Sequence, residues 1–338
     1  MYGVSVRFLE IRNFKSIRTL KLNCRKINLF IGEPNSGKSN ILETIGLMSH
    51  LTYGDLRNFV RFELMRDLFF DQILEDPIKL RFDTRTLDIR FKDGRFIARL
   101  LQMPDGFPEI FNYDYHGAGD KTLLRHVTQV TQEVRKYFSD FKSYRYISRD
   151  AFPLQTSEFL YPPSGDNLLA VLMSRKQLLG IMKEMFAKFG YRPVFRPHEG
   201  KIEVQKEFKD VLISFPYSLS SETLQRIVFY LAAMYSNSES VLTFEEPEAH
   251  AFPFYMKYLA ERIARDTNGN QYFITTHNPY FLTSILEKAP KHQVAAFITY
   301  LEDYQTKVMP MTDKQKEEAL RMGIDVFFNM ERFLSKKD

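Results

Sequence analysis

Tryptophan is absent from this chain, and cysteine occurs once, as Cys24. A lone cysteine excludes an internal disulfide and a cysteine-based zinc site, and it suits a reducing cytosol. Long hydrophobic runs are also missing: the longest uncharged apolar stretch, Ile227 to Tyr235, is far too short to cross a bilayer. Near the start, Arg7, Glu10 and Arg12 interrupt the apolar residues, unlike a secretory leader. There is no heptad run long enough for a coiled-coil arm, no internal repeat, and no HExxH-type spacing among the histidines. The expectation is a soluble, cytoplasmic protein that does not use the membrane.

What is present begins with an apolar supply ample for one large or two modest domains in 338 residues, including 31 Phe. A net charge of +5 and a pI near 9.0 permit an anionic partner without requiring one. The most informative stretch is Ile27 to Ser39, INLFIGEPNSGKS. Its segment Gly32-Glu33-Pro34-Asn35-Ser36-Gly37-Lys38-Ser39 matches G-x-x-x-x-G-K-[ST], the phosphate-binding P-loop. A strand feeds it, and Asn40 onward continues at helical spacing. The residue types suit the chemistry. Gly32 and Gly37 let backbone N–H groups turn toward phosphate oxygens, the next helix adds its positive end, Lys38 brings a mobile charge, and Ser39 offers a hydroxyl to Mg²⁺. A plain glycine turn is the bland alternative, and the strand and helix flanks argue against it.

Along the chain, residues 4–12 alternate as a strand, with Ile17 to Leu22 as its hairpin partner. Strands meander from Ile78 to Tyr115, with Lys92-Asp93-Gly94 as a turn signal. A helix is expected over Thr122 to Phe138 and a strand near Tyr144 to Ile147. After the breaker cluster Tyr161 to Asp166, an apolar stripe from Leu168 to Phe189 predicts one helix of more than five turns, with packing rather than ligand binding as its purpose. Three strands follow (191–196, 201–205, 211–215). From Glu222 to Thr299 helices and strands alternate, the pattern of a parallel α/β sheet.

A second constellation closes the strand before Glu245-Glu246-Pro247-Glu248. Carboxylates at the carboxyl end of a parallel strand stand where α/β sheets place their chemistry. A P-loop NTPase needs two acidic functions there, and the reading assigns Glu245 with Ser39 to Mg²⁺ and Glu246 to the attacking water. A solvated charged loop is the alternative taken alone. One strand later, His277 in Thr276-His277-Asn278-Pro279 is positioned to sense a γ-phosphate. His250 alone among the other histidines falls near these carboxylates in sequence.

In order, GEPNSGKSN, SLSSETLQRI, VLTFEEPEAHAFP and FITTHNPYFL resemble the ABC-type ATPases of the SMC/RecF/OLD-like branch, as does the opening FLEIRNFKSIRTLKLN. The closest likeness is to OLD-like AAA-type ATPases of archaea and bacteria, and it covers nearly the whole chain. The resemblance implies an α/β P-loop NTPase head with a mostly parallel central sheet. It spans 1–338 as one unit: a β-rich lobe with Walker A over 1–160, a helix and strand insert over 161–238, and Walker B with the switch histidine over 239–338. Gly32 to Ser39 then correspond to Walker A, Glu245 and Glu246 to Walker B, and His277 to the switch histidine. Ser220, Ser221 and Glu222 correspond to the signature that completes the other subunit's site in an ATP-sandwiching homodimer. Glu248 and His250 fall in the D-loop-like stretch, and Gln155 is the candidate for the glutamine after the β-rich lobe. Two departures are visible: Glu245 replaces the usual Asp, and Glu222 stands where Gly lets a backbone amide reach the γ-phosphate. Arg226, one helical turn on, is placed to offset that charge.

The function so implied is an ATP-hydrolysing dimeric switch in DNA repair or phage defence, acting on nucleic acid or a nuclease partner. The stretch after His277 has no paired D-x-D carboxylates, so a nuclease is expected on a separate chain. Basic residues Arg7, Arg12, Lys15, Arg18, Lys21, Arg25 and Lys26 suggest a phosphate track, but alternating strand positions favour a solvated face. Competing readings are a nucleotide-dependent scaffold with little hydrolysis, a transporter ATP-binding subunit, and a small-molecule kinase. The long interval from Lys38 to Ser220 disfavours the transporter, and the kinase leaves Glu245, Glu246 and His277 unexplained.

Overall fold

The computed structural model of the protein describes residues 5–101, 110–119, 137–322, 327 and 330–334. The helix expected over Thr122 to Phe138 falls outside these residues but for its last two positions. In chain order the strands β1 (Phe8–Phe14), β2 (Ile17–Asn23) and β3 (Ile27–Ile31) precede helices α1 (Lys38–Tyr53) and α2 (Leu56–Phe59). Strands β4 (Ile78–Phe82), β5 (Arg85–Lys92), β6 (Arg95–Leu101), β7 (Phe111–Tyr113) and β8 (Phe141–Tyr144) follow. Next come α3 (Leu168–Ser174), α4 (Lys176–Ala187), β9 (Tyr191–Arg196), β10 (Lys201–Phe208), β11 (Val211–Pro216) and α5 (Glu222–Ser236). The last part holds β12 (Val241–Glu245), α6 (Pro253–Ala264), β13 (Gln271–Thr275), α7 (Pro279–Lys288), β14 (Val294–Glu302), β15 (Gln305–Pro310) and α8 (Asp313–Met322).

The central sheet has the order β15-β14-β3-β13-β12-β8 and is parallel except for the β14–β15 hairpin at its edge. Strands β3 and β13 are buried on both faces, which explains their unbroken apolar runs. Successive side chains serve different cores. Ile27, Leu29 and Ile31 join α3 to α7 in one core, while Phe30 joins α1 and the antiparallel sheet in the other. That second sheet, β2-β1-β4-β5-β6-β7, is antiparallel throughout, and a left-handed Asp93-Gly94 turn closes β5 onto β6. A third, small sheet is β11-β10-β9. Among the described residues no helix is long and apolar enough to cross a membrane.

Three expectations are corrected. The stripe from Leu168 is two helices, because Arg175 leaves helical geometry at φ −122° and ψ 99°. Its guanidinium donates to the carbonyls of Glu158 at 2.5 Å and Ser236 at 3.4 Å, and Phe189 ends exposed. The eighth strand runs Phe141–Tyr144 rather than 144–147, since the Arg145 N–H turns away to Pro163 O. The first strand starts at Phe8, not residue 4, because Val6 is tied instead to the Gln271 side chain at 2.8 Å.

Phe30 stacks on Phe297 at 5.2 Å and on Phe273 at 6.4 Å under the loop that leaves β3. Phe30→Ala is expected to lower unfolding free energy by about 3–5 kcal/mol in chemical denaturation, through lost burial and the cavity left behind.

Candidate functional site

Strands β3, β13, β12 and β8 all point their carboxyl ends to one edge, with Phe30, Thr275 and Glu245 in register. Beyond Phe30 and Ile31 the chain enters the loop Gly32 to Ser39, which has no room behind it. A Cβ on Gly32 would lie 2.1 Å from the Thr299 carbonyl oxygen, and one on Gly37 (φ 90°) would lie 1.9 Å from Thr306 Oγ1. The β14–β15 hairpin braces the loop from that side. Thr306 Oγ1 is 2.6 Å from Ser16 Oγ and donates to Ser36 O at 3.1 Å, while Asn40 Nδ2 donates to Ser16 Oγ at 2.7 Å. Lys38 is folded into the loop, donating to Gly32 O at 2.9 Å, Glu33 O at 2.7 Å and Ser36 Oγ at 3.3 Å. Burial lowers its ammonium pKa to about 8, with Glu246 and Glu33 pulling the other way. Glu33, Pro34 and Asn35 form the exposed crest of the loop.

Glu246, directly after β12, occupies the left-handed region at φ 43°, and its N–H donates to Thr275 O at 3.1 Å. The carboxylate lies 3.1 Å from His277 Nε2. Burial and the nearby Lys38 lower the His277 pKa, against the pull of Glu246, so the neutral imidazole is favoured at pH 7. Glu248 is buried beneath this pair: its Oε1 accepts from the Thr276 hydroxyl and from His277 N at 3.3 Å. Its Oε2 has no hydrogen-bond partner among the described residues. Glu245 lines a cleft together with Ser39, Arg61, Ser143 and Arg145. A hydroxyl and one carboxylate on a shared cleft fit Mg²⁺, which keeps waters and takes phosphate oxygens for its remaining positions. Among the described residues no three His, Cys, Asp or Glu side chains converge as a protein-only metal cage.

Among the described residues no hydrogen bond or ion pair joins the signature-like segment to this loop. Ser220 Oγ donates to Tyr217 O at 2.7 Å, Ser221 precedes α5, and Glu222 pairs with Arg226 at 2.9 Å as anticipated. His250 is exposed, and its carbonyl accepts from Thr223 Oγ1 at 2.7 Å, which joins the D-loop-like turn to that segment. Gln155 is exposed and does not line the cleft; Arg145, at the carboxyl end of β8, does. Several of the N-terminal basic residues are engaged within the chain: Lys15 with Glu43, Arg12 with Glu10, Arg25 with carbonyls of Lys291 and Val294, and Lys26 with the Asp266 carbonyl. Sequence reasoning missed Arg61, which contacts both Glu43 and Glu245. Its segment has no periodicity, and the one available signal was Glu43, an acidic residue one helical turn beyond Ser39 on a buried helix.

A family model described as AAA domain, putative AbiEii toxin, Type IV TA system matches residues 27–283. No curated protein matches the chain. Among solved structures, an SMC head bound to the C-winged helix domain of ScpA superposes with TM-score 0.52 at 17% identity, over 90% of this chain and 98% of that one. An SMC head domain with an extended coiled coil, bound to the C-terminal domain of ScpA derived from Pyrococcus furiosus, gives TM-score 0.51 at 12% identity, over 94% and 98%. At such identities the likeness establishes the fold, that of an ABC-type SMC head.

Burial raises the Glu248 carboxyl pKa from 4.5 to about 7, while the Thr276 hydroxyl works against the rise. Between those values the folded state holds a proton that the unfolded state has lost, so stability falls as pH rises. Glu248→Gln is expected to flatten that slope in denaturation series from pH 4.5 to 8, with a gain on the order of 1–3 kcal/mol at the alkaline end.

Proposed function

We propose, for a chain that belongs to the family described as AAA domain, putative AbiEii toxin, Type IV TA system, an ATP-hydrolysing switch that works as a homodimer in the cytoplasm. The observation that carries the reading is the Glu246–His277 pair, 3.1 Å apart at the sheet edge that also presents Lys38. In this reading residues 1–338 form one head, and Gly32 to Asn40 hold the nucleotide phosphates through backbone N–H groups and Lys38. Ser39 and Glu245 would hold Mg²⁺, which would supply positive charge to the phosphates during transfer. Glu246 accepts hydrogen bonding from the attacking water and draws off its proton. His277, neutral, has one N–H to give: it donates it to Glu246 in the nucleotide-free protein, and turning it to the γ-phosphate would free that carboxylate for the water.

Dimerisation is supported by the surface around the site. Leu219, Phe252, Phe254 and Tyr280 are all strongly exposed where α5, α6 and α7 begin, at the carboxyl edge of the sheet. A second copy placed there would bring Ser220, Ser221 and Glu222 toward the first copy's loop. The Glu222–Arg226 ion pair offsets the carboxylate that replaces glycine. A scaffold that binds ATP with little turnover is the second reading, and Glu222 is the residue that favours it. The effector we propose is nucleic acid or a separate nuclease chain, in DNA maintenance or phage defence. The toxin–antitoxin wording of the family description agrees with the defence side.

Turnover of Mg-ATP and sedimentation, each with and without double-stranded DNA, test the proposal. Lys38→Ala is expected to remove nucleotide binding, and tight ATP binding by that variant would refute the loop assignment. Glu246→Gln is expected to lower kcat by about 10²-fold or more, to retain ATP, and to accumulate the ATP-bound dimer. Wild-type turnover in Glu246→Gln would remove Glu246 from catalysis, and slow turnover with ATP-dependent dimers in the wild type would favour the scaffold.

A further inference from the structure

Beside Ser39, Glu43 and Glu245 are held by Lys15 and Arg61, and of these four side chains the proposed chemistry uses only Glu245. Glu43 projects from α1 one turn beyond Ser39 and is 6% exposed. A carboxylate so buried has to be compensated. Lys15, from the β1–β2 turn, pairs with one oxygen, and its Nζ also donates to the Arg61 carbonyl at 2.5 Å. Arg61 Nε donates to the other oxygen at 2.6 Å. The far side of the same guanidinium, Nη2, lies 2.9 Å from Glu245 Oε1. Lys15 and Arg61 thus engage both carboxylates before anything else enters, and Arg145 lines the same cleft.

The two ends of the Arg61 bridge are unequal. On the Glu43 side the carboxylate is buried and Lys15 is a second partner. On the Glu245 side the carboxylate is 26% exposed, it lines the cleft, and Arg61 is its one ion-pair partner among the described residues. The contact free to break is therefore the one to Glu245. We infer that Arg61 is the resident counter-cation of Glu245, holding that carboxylate in the nucleotide-free protein and releasing it when a divalent cation and nucleotide phosphates arrive together. This rests on the reading of Glu245 as the metal-holding carboxylate. A metal ion alone meets a carboxylate already neutralised and must displace the Nη2 side of a guanidinium whose remaining carboxylate partner, Glu43, is already engaged by Nε and by Lys15. With nucleotide present, phosphate oxygens accept the freed N–H groups, so metal and nucleotide bind cooperatively. Burial opposes the Arg61 charge, but Glu245 and Glu43 outweigh it and raise the pKa, so the exchange moves a charged group rather than a proton.

Mn²⁺ titration of the full chain, with free ion counted by electron paramagnetic resonance, tests the inference without reading activity. Wild type is expected to bind Mn²⁺ weakly alone and strongly with a non-hydrolysable ATP analogue. In Arg61→Gln, affinity for Mn²⁺ alone is expected to tighten about tenfold or more, to revert in Arg61→Gln/Glu245→Gln, and to depend less on the analogue. Unchanged metal-alone affinity in an Arg61→Gln protein that still melts cooperatively overturns the inference. Should that variant not fold, Arg61→Lys serves: one ammonium cannot span both carboxylates, so partial tightening is expected and no change overturns it. If Glu245→Gln alone binds Mn²⁺ with the analogue at wild-type strength, the metal role of Glu245 is what has failed.

Discussion

The loop from Gly32 to Ser39 is held from behind by one backbone carbonyl and one side-chain hydroxyl, and most of the site depends on those contacts. The carbonyl of Thr299 and the hydroxyl of Thr306 stand where any side chain at positions 32 and 37 would project. Both come from the β14–β15 hairpin at the edge of the central sheet. Close approach leaves the loop one conformation, and Lys38 is then drawn inward onto the loop's own carbonyls. A cation so placed is costly to bury, which lowers its pKa, and in the proposed reading phosphate oxygens replace those carbonyls and relieve the cost. An anion on the loop would find a lysine imperfectly housed by its own backbone.

The parallel sheet contributes the acidic side of the same arrangement. Because β12, β13 and β3 run in register, Glu246 and His277 leave adjacent strands at one level. Glu248 ties the two exits together from below through Thr276 and the His277 N–H. Its buried second oxygen means the joint is bought at some cost in stability, in keeping with strain concentrated where chemistry is placed.

Much of this was legible in the residues. The loop spacing, the Glu-Glu-Pro-Glu run and the Thr-His-Asn-Pro turn each sit at the end of a short apolar run, and buried parallel strands write themselves that way. The break at Arg175 was not legible, because the apolar stripe runs on across it and the cause is two distant carbonyls. Nor was the β14–β15 turn, where Asp303 and Tyr304 take left-handed angles without glycine. Gln155 stands exposed and off the cleft for a related reason: the chain leaves β8 at Arg145, anchored to Pro163, well before reaching it. Arg61 was invisible because its meaning lies in two carboxylates far apart in the chain.

The same few contacts join the antiparallel sheet to the nucleotide edge. The β1–β2 turn delivers Ser16 to Asn40 and Thr306, and delivers Lys15 to Glu43. One turn therefore braces the loop on one side and neutralises the carboxylate pocket on the other. If Arg61 leaves Glu245, Glu43 keeps Lys15, and the charge balance of the pocket then rests on that turn. A load on the antiparallel sheet, from whatever partner meets it, would reach the start of α1 at two points, Asn40 through Ser16 and Glu43 through Lys15. The wiring is short, polar and built from side chains that no phosphate-loop pattern contains.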